Sequence, residues 1–137
     1  MSKVITRTVR AQLINRTPAV RPLSPALRYE AADPLAVTVV FPPEISDDGE
    51  EVAWAFSREL LAEGLRSPAG EGDIHVRPCG QGRTVIEFHA GAGVAILEFR
   101  TVELALFLER TYVVVPAGTE TALMDLEEGL SVLLRSV

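Results

Sequence analysis

Two histidines, one cysteine and several runs of carboxylates are the residues of this 137-residue chain that could do chemistry. His75 and His89 both have acids close by in sequence, the company a general base or a metal ligand keeps. No HxxxH, HExxH or Cys-His spacing accompanies them, so surface or core histidines are the better reading. Cys79 sits between Pro78 and Gly80 in no redox or zinc motif and reads as a small buried or turn residue. A lone cysteine closes no internal disulfide, which fits a reducing compartment. Ser57 belongs to no GxSxG and is explained by helix capping. The acidic run Asp47-Asp48-Gly49-Glu50-Glu51 lacks the ligand spacing of a calcium loop and reads as a solvated hairpin turn. Gly91-Ala92-Gly93 lies between two strand patterns and opens no helix, which makes it a poor phosphate loop. Trp54 could stack a nucleobase, yet it alternates with Val52 and Phe56 and reads as core. The expectation is a protein without catalytic residues, cofactor or bound metal.

The elements that carry these residues follow from periodicity. Val52 to Phe56 alternates as a half-buried strand, Ser57 is an N-cap, and Leu60, Leu61 and Leu65 recur at helical spacing. Gly64 stands where a left-handed residue closes a helix, Pro68 and Gly70 stop continuation, and Ile74 and Val76 open the returning strand. Upstream, Val4 to Ile14 reads as one long amphipathic strand with Ile5, Val9, Ala11 and Leu13 on one face. Pro18, Pro22 and Pro25 mark a connection or edge segment. Leu35 to Phe41, with Leu35, Val37, Val39 and Phe41 on one face, reads as a central strand. Downstream, Arg83 to Ala90 and Val94 to Phe99 complete an antiparallel meander with Ile74 to Arg77. Thr101 is a candidate cap for a helix reaching about Thr111, packed through Leu104, Phe107 and Leu108, after which Val113 to Val115 favour extended chain. A last helix is expected from about Asp125 to Arg135. Strands then helix, twice over, define an α+β class with two related halves in a single domain over residues 1–137.

Composition bounds the function. The chain has a hydrophobic fraction of 47% and a mean hydropathy of +0.21, high enough to leave apolar surface for self-association to cover. It carries no signal pattern and no apolar run of transmembrane length. Net charge is −6, but Lys3, Arg7, Arg10, Arg16, Arg21 and Arg28 all precede the first acid, Glu30. A basic strand that pairs with the acidic body or with a neighbouring subunit explains this better than a nucleic-acid arm, because an acidic whole repels phosphate.

Three stretches in order, LRYEAADPLAV at 27–37, VAWAFSRELLAEGL with RSPAGEGDIHVRP at 52–78, and FLERTYVVVPAGTE at 107–120, resemble the SsgA-like sporulation and cell-division proteins of actinobacteria. Asp125-Leu126 and Leu133-Leu134 extend the resemblance over most of the chain after residue 26. Glu30 stands where the family usually carries aspartate, and Leu35 where a tyrosine is commoner. The resemblance implies a Whirly-like fold of antiparallel sheets, with one short helix between strands and two C-terminal helices, assembled into a homo-oligomer such as a trimer. It further implies a non-catalytic cytoplasmic adaptor at the division septum that helps recruit or position FtsZ and the septal wall machinery, with a septal membrane protein as a further partner. The alternative is a single-stranded nucleic-acid binder of Whirly-like fold, which the net charge and the single lysine disfavour. Candidate protein contacts are the outward helix residues Arg58, Glu59, Glu103, Arg110, Glu127 and Glu128, and Tyr29 is a candidate exposed contact.

Overall fold

A computed structural model of the chain describes residues 3–15, 21–43, 49–91 and 93–120. The order is β1 (Val4–Thr8), β2 (Ala11–Leu13), β3 (Arg21–Leu23), β4 (Ala26–Glu30), β5 (Ala36–Phe41), β6 (Val52–Ser57), α1 (Arg58–Gly64), β7 (Ala69–Glu71), β8 (Ile74–Pro78), β9 (Arg83–Ala90), β10 (Gly93–Arg100) and α2 (Thr101–Val114). All pairings are antiparallel, in a four-stranded sheet β1-β4-β5-β6 and a six-stranded sheet β3-β2-β10-β9-β8-β7. The core lies between them. Phe41 of β5 meets Phe88 of β9 edge to face at 5.1 Å, and Trp54 of β6 meets the same ring at 5.7 Å. Trp54 therefore packs against the core, as its alternation predicts.

The expected two halves exist as β4-β5-β6-α1 and β8-β9-β10-α2, each a meander whose last strand runs straight into a helix. The N-terminal stretch ties them together. Val4 to Ile14 is not one strand: it breaks after Thr8, so that β1 pairs with β4 in one sheet and β2 with β10 in the other. Val9 N–H donates to the Pro25 carbonyl at 3.0 Å at the crossing. The predicted face survives, since Val9, Ala11 and Leu13 are buried. Alternation specifies which side chains turn inward but not which neighbour a strand takes. Pro22 lies in the edge strand β3, where a missing N–H is tolerated.

Several local readings are corrected. Leu35 lies in the turn before β5 and is exposed, so the buried face of that strand is Val37, Val39 and Phe41. Gly64 ends α1 without a positive φ; its role is close approach, because a Cβ there would lie 2.3 Å from Val76 Cβ. The helix does stop before Gly70, as expected, and Gly70 itself lies in β7, where it makes room for the His75 ring across the β7–β8 pair. Thr101 does not cap α2. Arg100 occupies the cap position without a side-chain bond, and Thr101 Oγ1 instead meets Thr84 Oγ1 at 2.8 Å. The α2 helix runs on to Val114, past the expected stop at Thr111. The expected last helix, with Glu127 and Glu128, and the Asp47-Asp48 tip lie outside the described residues.

Candidate functional site

Surface and support meet at α1 and α2. Ser57 caps α1 as predicted, its Oγ accepting from Leu60 N–H at 2.9 Å. The next residue, Arg58, is not an outward contact residue: it is only 2% exposed. Its Nη1 donates to the Val115 carbonyl at 2.7 Å and to the Thr111 carbonyl at 3.3 Å, while Nη2 is ion-paired with Glu120. The guanidinium carbon lies 5.2 Å from the Tyr29 ring centroid and 4.7 Å from that of Tyr112, within cation–π range of both. The Thr111 carbonyl also accepts from Val115 N–H at 2.9 Å, so Arg58 adds a second donor there and takes up the Val115 carbonyl just past the end of α2. Tyr29 is likewise buried, donating its hydroxyl to the Pro34 carbonyl at 3.0 Å, so it offers no exposed contact. Burial raises the Tyr29 pKa, an effect the nearby Arg58 charge opposes. The Arg58 hydrogen bond lowers the Glu120 pKa against the opposing effect of burial.

The outward side of α2 is different. Leu104, Phe107, Leu108 and Thr111 are buried, whereas Val102, Leu106 and Val113 are 52%, 40% and 83% exposed. At 3.6 residues per turn, those three fall within about 40° of one another around the helix axis. Exposed Glu109 lies on the same stripe and exposed Arg110 beside it. Glu103 is instead half-buried and paired with Arg7 of β1 at 3.1 Å, one instance of the expected pairing between the basic N-terminal strand and the acidic body. Glu59 is exposed on α1. Of the predicted contact residues, then, Glu59 and Arg110 face outward on different helices, Glu103 is engaged at the flank of α2, and Arg58 is internal. The apolar stripe was missed, although a segment as apolar as TVELALFLERTYVV leaves hydrophobic side chains on more than one side of a helix.

The two histidines do meet. Their rings lie 5.1 Å apart on the outer face of the six-stranded sheet, and His89 Nε2 is 3.0 Å from Glu87 Oε1. Glu87 also forms an ion pair with Arg77. Burial pushes the Glu87 carboxyl up, but hydrogen bonds from His89 and Arg77 more than offset it and hold the pKa low. A carboxylate so engaged is a poor proton donor. Among the described residues, no three His, Cys, Asp or Glu side chains are grouped to hold a metal ion, and no helix is long and apolar enough to cross a membrane.

Fold and surface together define an α+β protein of two packed antiparallel sheets with an apolar, charge-flanked helix face turned outward. The chain belongs to the SsgA family: the model of the Streptomyces sporulation and cell division protein SsgA matches residues 23–120. It is 38% identical over 137 residues to the sporulation-specific cell division protein SsgB of Streptomyces coelicolor, covering 98% of each chain. With SsgB of Frankia casuarinae it shares 40% identity over 116 residues, 82% of this chain and 79% of the other. A solved SsgA-like sporulation-specific cell division protein from Thermobifida fusca superposes with a TM-score of 0.83 at 35% identity, covering 95% of each chain. A structure reported with SsgB mutations that correlate to longitudinal cell division during sporulation of Streptomyces coelicolor gives a TM-score of 0.80 at 37% identity, covering 90% of this chain and 97% of that one. The family resemblance read from the three sequence stretches is thus confirmed.

Proposed function

We propose that this protein is a non-catalytic, septum-site adaptor of sporulation-specific cell division, which helps recruit or position FtsZ and the septal wall machinery from the cytoplasmic side. The observation that carries the reading is the exposed Val102, Leu106 and Val113 stripe beside Arg110, on a helix whose opposite side is fixed to the core. Membership of a sporulation and cell-division family supplies the process. Exposed apolar side chains flanked by charge suit protein contact, with the apolar part contributing affinity and the charges orientation. A homo-oligomer, a trimer by the family resemblance, multiplies such contacts through effective concentration, and a septal membrane protein is a second partner. The paired antiparallel sheets braced by helices support the Whirly-like assignment.

The test is capture of purified FtsZ by the full chain, with the solution mass measured on the same sample at low and moderate salt. The proposal predicts capture by an oligomer, weakened by salt to the extent that charge carries the contact. A monomer that captures no FtsZ in either buffer overturns the FtsZ adaptor.

A further inference from the structure

Four neighbouring strands of the six-stranded sheet bring arginines to one cleft of about 780 Å³. In the order β3-β2-β10-β9, these are Arg21, Arg10 just ahead of β2, Arg100 and Arg83. Arg83 and Arg100 stand directly opposite each other in the β9–β10 register, a like-charge pairing that destabilises a sheet. Among the described residues the sole acid lining the cleft is Glu98, which pairs with Arg83 at 2.6 Å. Arg10, Arg21 and Arg100 have no ion pair or side-chain hydrogen bond among the described residues. Arg7, Arg28, Arg58 and Arg77 are each ion-paired, whereas the exposed Arg66 and Arg110 stand singly away from the cleft. A cleft with three guanidiniums unengaged among the described residues, in a chain of net charge −6, is a concentrated exception to the charge of the whole.

We infer that this cleft binds an acidic peptide segment of a partner protein, with Arg10, Arg21 and Arg100 as carboxylate receptors and Arg83 held in place by Glu98. The guanidinium fork matches a carboxylate bidentately and fixes its orientation, which a flexible ammonium does not. Pro22 removes a backbone donor from the edge strand β3, so the segment is held through its side-chain carboxylates rather than by adding a fully paired strand. Among the described residues Phe99 is the one aromatic lining the cleft and is 1% exposed, so it offers no stacking platform for nucleobases. A long polyanion or an anionic membrane plane meets the repulsion of the acidic body, whereas a short segment reaching into the concavity meets mainly the arginines. The volume lies within the roughly 300–1,000 Å³ of ordinary ligand pockets. The inference does not depend on FtsZ being the partner.

The experiment is fluorescence anisotropy of labelled hexaglutamate titrated with the full chain, with hexaglutamine and oligothymidylate as comparators. Hexaglutamate should bind saturably and more tightly than either comparator. Binding should weaken about tenfold in each of Arg21→Gln and Arg100→Gln, by loss of a charge-assisted contact. Arg66→Gln, in the turn after α1 and outside the cleft, should leave it unchanged. Arg100→Lys, which keeps the charge but loses the fork, should fall between wild type and Arg100→Gln. Arg21 and Arg100 are exposed and unpaired among the described residues, so both Gln variants should keep the wild-type melting temperature and circular dichroism. Absence of hexaglutamate binding, or binding indifferent to both cleft substitutions, overturns the proposal. Tighter binding of oligothymidylate, lost in the same variants, overturns it in favour of a nucleic-acid site.

Discussion

The two helices begin alike and end differently. Each follows directly from the last strand of a meander, yet α1 has 7 residues and α2 has 14. In α1, Arg58, Leu60, Leu61 and Gly64 are buried, and about two turns of helix are committed to β7, β8 and α2. In α2 one side is equally committed while Val102, Leu106 and Val113 remain outside. Both helices carry an arginine that sequence alone treats as surface charge. Arg58 has its donors taken by carbonyls and Glu120, whereas Arg110 is exposed. The difference separates a residue that builds the surface from residues that can use it.

Removing the builder should have the largest effect. Arg58→Ala deletes the ion pair with Glu120 and removes the Arg58 donor from the Val115 carbonyl, at a cost of about 3–5 kcal/mol in urea unfolding. If Arg58 were an ordinary surface residue, the change would stay within about 0.5 kcal/mol. Gly64→Ala comes next. The helix gains about 1 kcal/mol from alanine, but the 2.3 Å approach to Val76 Cβ forces a shift, and such overpacking costs about 1–3 kcal/mol. The account predicts net destabilisation, seen as a lower urea midpoint. A gain would mean that Gly64 is not there for close packing.

Acid should reveal Glu120 as the partner of Arg58, whose carbonyl and carboxylate contacts form a hub between α1 and α2. Glu120 has its folded pKa depressed, chiefly by the Arg58 hydrogen bond. Its contribution to stability is therefore complete above the ordinary glutamate value of about 4.3 and is lost as pH falls through the lower folded value. Glu120→Gln should be less stable than wild type at neutral pH, and the gap should narrow across that acidic window. Parallel stability curves for the two proteins would remove Glu120 from the hub.

The comparison also shows what could be read in advance. Ser57 as a cap, the β8-β9-β10 meander and the stripe of Leu104, Phe107 and Leu108 were legible, because capping chemistry and periodicity are local. The split of Val4 to Ile14 between two sheets was not, since partner choice depends on strands distant in sequence. Nor was the persistence of α2 through Val114, where the Val115 carbonyl meets Arg58, 57 positions away in sequence. Arg58 did leave a trace: a cation in the first turn opposes the helix dipole, and such a placement signals a partner elsewhere. The arginine cleft was hidden for the opposite reason. Arg10, Arg21, Arg83 and Arg100 look scattered along the chain until the strand order brings them to one place.

The most direct test of the adaptor reading alters the unused side of α2 and leaves the committed side intact. In Leu106→Gln/Val113→Gln both substitutions are to a good helix former at exposed positions, so stability should stay within about 0.5 kcal/mol of wild type. The measurement is FtsZ captured by this variant and by wild type at equal concentration, with matched melting curves. The account predicts that capture falls at least about tenfold, the equivalent of roughly 1.4 kcal/mol of lost contact. Undiminished capture by the folded variant would contradict it and move the partner site away from α2.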